Sequence, residues 1–254
     1  SKRRLLCRKG YIFMTIRQIK GNARETLLPS LGLPVAVTVL ATIFKNFILL
    51  LASLPIAATG TAAFITYEFA FFVSSLLIAL AEVGICKFYL TLSANRRTAS
   101  LTDLVYGFRN APDRTVMVAL TITIIEAICM SPYVIYSCFF MPEVTQQNMY
   151  LLILFTSVIS LVCELLCFLF TIPLALSYFI IIDMPELSPL KVLKMSCRLM
   201  KKRGFAYIGF CISFFPLMLV AFLSFGIGNL WLTPYMQAGF AEFYMDAVER
   251  QSKK

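Results

Sequence analysis

Residues 150–182 read YLLILFTSVISLVCELLCFLFTIPLALSYFIII, and Glu164 is the one charged residue among them. A helix crosses the hydrocarbon core of a bilayer with roughly 20 residues, so this stretch is long enough to span and too apolar for water. Residues 115–140 and 205–232 repeat the pattern, and Glu126 is the only charge inside either. The spacing predicts six helices, at about 28–50, 64–92, 115–140, 150–182, 205–224 and 227–247. Lys45 interrupts the first, which is expected to end near Phe44 or to continue past it. The fold class is an all-α polytopic membrane bundle.

Composition points the same way. Of 254 residues, 59% are hydrophobic and 14% charged, whereas soluble domains carry about a quarter charged residues. Ser1-Lys2-Arg3-Arg4 is basic enough to open a signal peptide. Lys9, Arg17 and Lys20 break the following apolar stretch, however, and the N-terminus reads as mature protein.

The basic residues set the orientation. Eight Lys/Arg lie between Lys2 and Arg24; Arg96, Arg97, Arg109 and Arg114 lie between the second and third spans. Lys191, Lys194, Arg198, Lys201, Lys202 and Arg203 lie between the fourth and fifth, and Arg250, Lys253 and Lys254 follow the last. The alternate connections hold none, so both termini are expected in the cytoplasm. Residues 1–27 form a basic cytoplasmic amphipathic segment, 28–247 the transmembrane domain, and 248–254 a cytoplasmic tail.

Three cytoplasmic segments read as amphipathic helices. In 188–203, Ser188-Pro189 is an N-cap and first helical residue, and Leu190, Leu193, Cys197 and Met200 recur at helical spacing. Lys191, Lys194, Arg198, Lys201 and Lys202 form the adjoining stripe, suited to anionic lipid headgroups or a membrane protein partner, or simply to retention on the cytoplasmic side. Ser100 and Asp103 open a shorter helix over 100–109, and 11–24 has the same character. Ile16-x-x-Ile19-x4-Arg24, Leu101-x-x-Leu104-x4-Arg109 and Leu190-x-x-Leu193-x4-Arg198 share one spacing, 85 and then 89 residues apart. The unit suggested is an amphipathic helix followed by a helical hairpin, used three times.

Glu82, Glu126 and Glu164 fall inside the second, third and fourth spans. An ionisable group at that depth is costly and marks a candidate site. Two uses fit: proton or cation coupling, or a protonated clasp, with Lys87 as an ion-pair partner for Glu82. Pro132, Pro173, Pro216 and Pro234 weaken four spans, and Pro173 would free the carbonyl of Leu169. Eight cysteines and no histidine give no disulfide framework and no metal site, and Cys163 and Cys167 read as packing. Without a Walker loop, a G-x-S-x-G or an H-x-x-x-H arrangement, neither an enzyme nor a cofactor is expected. No extended domain accompanies the basic loops, so nucleic acid is not an expected partner; the lipid bilayer is.

LSYFIIIDMPELSPLKVLKMSCRLMKKR from Leu176, GIGNLWLTPYMQAGFAEFY to Tyr244, ASLTDLVYGFRN at 99–110 and QIKGNARETL at 18–27 resemble an uncharacterised family of six-helix bacterial membrane proteins, mainly Gram-positive. The family is more distantly similar to the membrane domain of some glycerophosphodiester phosphodiesterases. The resemblance implies a six-helix bundle in a bacterial cytoplasmic membrane and carries no catalytic residues. Two functions follow as expectations: transport of a small solute, peptide or lipid through an intramembrane cavity, or a non-transporting partner protein that docks through its basic helices.

Overall fold

A computed structural model describes residues 15–28, 31–53, 61–94, 99–137, 148–201 and 203–252. Lys202, Arg96, Arg97, Cys7, Cys138 and the connection 141–147 lie outside the described residues. All regular structure among those described is helical: α1 Ile16–Leu27, α2 Gly32–Ala52, α3 Thr61–Ala94, a 3-10 turn Leu101–Val105 running into α4 Tyr106–Arg109, α5 Pro112–Ile135 and α6 Met149–Thr171. A 3-10 turn Ile172–Leu174 leads to α7 Ser177–Asp183, followed by α8 Pro189–Met200, α9 Gly204–Ile212, α10 Phe215–Leu223 and α11 Asn229–Ser252.

Five stretches are long and apolar enough to cross a membrane: α2, residues 69–94 of α3, α5, 149–183, and 204–223. Their outward surfaces carry large apolar side chains, among them Phe69, Ile128, Leu154, Phe170 and Phe222. Bare apolar surface on that scale requires lipid. The expected sixth span corresponds to the helix α11, which is too polar to count among these five. It packs against α1, α2, α3 and α10, and Ala238, Ala241 and Tyr244 are wholly buried. A helix wrapped by its neighbours has little need of an apolar exterior.

Proline divides two of the expected helices and spares two others. The stretch 150–182 breaks at Ile172–Leu174, where Pro173 sits in the 3-10 turn, and Ser196 Oγ donates to the Pro173 carbonyl at 2.8 Å. The stretch 205–224 breaks at Ser213–Phe214, just before Pro216. Lys20 Nζ enters this break, donating to Ser213 O at 2.8 Å and lying 4.2 Å from the Phe214 ring centroid. Burial there lowers the Lys20 ammonium below its usual range. Pro132 and Pro234 remain inside α5 and α11. Lys45 does not end the first span; α2 continues through it to Ala52.

The chain is built as three amphipathic-helix-plus-hairpin units. The amphipathic members are α1, residues 101–109 and α8; the hairpins are α2–α3, α5–α6 and α9/α10–α11. Each amphipathic member packs against the second long helix of the preceding unit: 101–109 on α3, α8 on the turn and α7 that continue α6, and α1 on α11, which closes the ring. Gly84 of α3 and Gly107 of α4 make one of these crossings. A Cβ on Gly84 would lie 2.0 Å from the Leu104 carbonyl oxygen, and one on Gly107 would lie 2.1 Å from that of Leu80.

The expected face of α8 is rotated. Val192, Leu193, Ser196, Leu199 and Met200 are buried, while Leu190 and Cys197 are exposed. The apolar side packs on protein rather than on lipid, because the turn at 172–174 and α7 cover it. α1 is likewise built into the bundle: Ile16 lies beside Gly209, Lys20 at Ser213, and Tyr235 donates to the Lys20 carbonyl at 3.3 Å.

Candidate intramembrane site

A cavity of about 380 Å³ lies between α2, α3, α5, α7, α9 and α11. Beyond the 3-10 turn at 172–174, Ala175, Tyr178 and Phe179 lie along one wall. Glu82 of α3 and Glu126 of α5 both line it, with Ser75, Thr123, Tyr207 and Gln237 supplying further polar atoms. Thr123 and Ser75 hydroxyls lie 3.3 Å apart across the α3–α5 contact. The remaining wall is apolar, contributed by Leu49, Phe71 and Phe240.

The two carboxylates differ in their surroundings. Lys45 Nζ of α2 forms an ion pair with Glu82 Oε1, and both side chains are 28% accessible. Glu126 has no hydrogen-bond or ion-pair partner among the described residues. One carboxylate is thus paired with a lysine, and the other lines the cavity without such a partner among the described residues.

The other candidates lie elsewhere. Glu164 is on the exposed side of α6, accepting from Ser160 Oγ at 3.3 Å, and is absent from the cavity wall. Lys87 is not the partner of Glu82; its ammonium lies over the Tyr106 ring, 5.4 Å from the centroid, and ties α4 to α3. Lys191, Lys194, Arg198 and Lys201 are exposed along α8. The six described cysteines are free thiols.

A second group of charges has no counterpart in the sequence reading beyond the count of basic residues. Arg203 pairs with Asp246 and donates to the Phe243 carbonyl at 3.5 Å, with its guanidinium 4.3 Å from the Phe243 centroid. Arg250 Nε reaches the same Asp246 carboxylate at 3.0 Å. Tyr244 donates to Asp183 Oδ2 at 2.9 Å and stacks on Phe179. Burial pulls the Arg203 guanidinium below its usual range and Asp246 opposes that shift. These contacts join α7 and α11 to the residue that precedes α9, while Arg203 Nε is buried without a hydrogen-bond partner.

The DUF975 family, described as a protein of unknown function, matches residues 14–251. No curated protein and no solved structure matches the chain.

Proposed function

We propose a transport-related role for this chain, which belongs to the DUF975 family of proteins of unknown function: passage or gating of a small polar or cationic solute through the cavity at Glu82 and Glu126. The observation that supports it is Glu126, a carboxylate lining a cavity between apolar helices with no partner among the described residues. A structural clasp would be closed on a hydroxyl or a backbone carbonyl. The volume of about 380 Å³ is at the small end of ligand sites, which run from roughly 300 to 1,000 Å³. It suits a small solute better than a peptide.

Gln keeps the size of Glu126 and its hydrogen-bonding capacity but cannot exchange a proton or hold a cation by charge. In proteoliposomes tested with protons, alkali-metal ions and a small amine, Glu126→Gln should fold in wild-type yield and abolish a wild-type pH-dependent flux. Absence of flux for all these probes in the wild type, with yield lost only in Glu126→Leu, would return Glu126 to a packing role.

A second reading rests on α8, whose Lys191, Lys194, Arg198 and Lys201 are exposed together; they suit a partner protein or an anionic lipid surface. For either reading we propose a bacterial cytoplasmic membrane with both termini inside, supported by the basic residues that gather on alternate connections. In intact cells an impermeant thiol reagent should then label a cysteine introduced at Gln146 and spare Cys197, which is exposed. Labelling of Cys197 instead would invert the orientation.

A further inference from the structure

A second concavity lies on the molecule's flank, away from the carboxylate cavity. It is a groove of about 480 Å³ between the C-terminal half of α1, the length of α10 and the start of α11. Arg24 and Tyr235 form its polar side, and Leu27, Leu217, Val220 and Trp231 its apolar side. We infer that this groove holds one anionic phospholipid of the surrounding bilayer, with the phosphate on the Arg24 guanidinium and an acyl chain along α10.

Three observations carry the assignment. The first is the seam itself. Arg17, Gln18, Arg24 and Glu25 are exposed on α1, which gives that helix a polar outer side, whereas Val220, Phe222 and Leu223 of the adjoining α10 are 62%, 80% and 77% exposed. A surface that is polar on one helix and apolar on the next has the division of a phospholipid. The second is charge: no carboxylate among the described residues lies within ion-pair distance of Arg24. An exposed guanidinium at the rim of an apolar groove is complementary to a phosphate, which its planar donors grip in bidentate fashion.

The third observation is how firmly the polar wall is held. Lys20, one turn before Arg24, is fastened to Ser213, and Tyr235 donates to the Lys20 carbonyl. Leu27, the next turn on, is 4% exposed. Arg24 therefore projects from a helix fixed on either side of it, over a groove that remains open to the bilayer.

Trp231 is the chain's single tryptophan and lines this groove, so its fluorescence reports on lipid at the groove and on no other part of the chain. The full chain would be reconstituted in phosphatidylcholine vesicles containing equal mole fractions of brominated-acyl phosphatidylglycerol or brominated-acyl phosphatidylcholine. The anionic quencher should be favoured at Trp231 about fivefold, the preference that one basic side chain near an anionic headgroup supplies. Arg24→Gln should bring the ratio close to one, Arg24→Lys should keep part of it, and Lys191→Gln should leave it unchanged. If Arg24→Gln does not fold, Val220→Phe narrows the groove from its exposed side and should lower the ratio with Arg24 in place. A wild-type ratio of one would overturn the assignment. So would a preference that survives Arg24→Gln or Val220→Phe, or one that Lys191→Gln removes. The outcome is independent of the flux measurement at Glu126.

Discussion

Glu82 and Lys45 are 37 residues apart in the chain and form one ion pair inside the apolar region. Removing Lys45 alone would leave a carboxylate with only the cavity to solvate it, which is the costly way to break such a pair. With both side chains 28% accessible, the cost is discounted to the order of 1 kcal/mol. Lys45→Met should therefore lower the thermal midpoint in detergent, and adding Glu82→Gln should restore most of the loss. Additive losses in the double variant would mean the two residues act separately. The sequence marked Glu82 and Glu126 because a charge in an apolar run is visible without a structure. It pointed to the wrong lysine because Lys87 is near in number; five residues turn a helix by about 140°, which carries Lys87 to the opposite side of α3. Lys45 was equally visible as a charge within a span, but pairing across two helices depends on their register, which no local pattern encodes.

At the scale of elements, the close crossing at Gly84 and Gly107 decides whether the second unit can dock on the first. Gly84→Val would drive a side chain into the Leu104 backbone, whose oxygen already lies 2.0 Å from the position of a Cβ. Backbone cannot yield as a side chain tip can, so the variant should lose about 3 kcal/mol or more, read as loss of folded yield. A Gly84→Val protein with wild-type thermal stability would contradict the crossing. The turn before α11 requires its two glycines for two distinct reasons. Gly226 has φ +85°, a conformation glycine adopts without strain, and a Cβ on Gly228 would lie 2.7 Å from Ala221 Cα. The proline breaks were half legible. A proline inside a helix removes one helical hydrogen bond, but whether the helix parts there depends on distant packing. Where the two helices part, Lys20 and Ser196 supply donors from distant segments to the carbonyls of Ser213 and Pro173.

For the molecule as a whole, the order of the long apolar stretches could be read from the chain, since apolar runs are local. The way the amphipathic helices are used could not. Periodicity identified α1 and α8 as two-sided helices, and two-sidedness alone leaves open whether lipid or protein covers the apolar side. Here protein covers it, in a ring that α1 closes on α11, and the cavity that holds Glu82 and Glu126 lies between these packed helices. The same closure explains why α11 carries Glu242 and Asp246, both buried, in a position first read as an ordinary membrane span.

The central claim is that Glu82 and Glu126 face one cavity that receives a solute. The most direct measurement is an experimental density map of the protein in a lipid nanodisc, resolved well enough to place side chains. The account predicts ordered non-protein density within hydrogen-bonding distance of Glu126, with Lys45 held on Glu82. A cavity filled by protein side chains, or Glu126 closed on a hydroxyl or carbonyl of the chain, would contradict it.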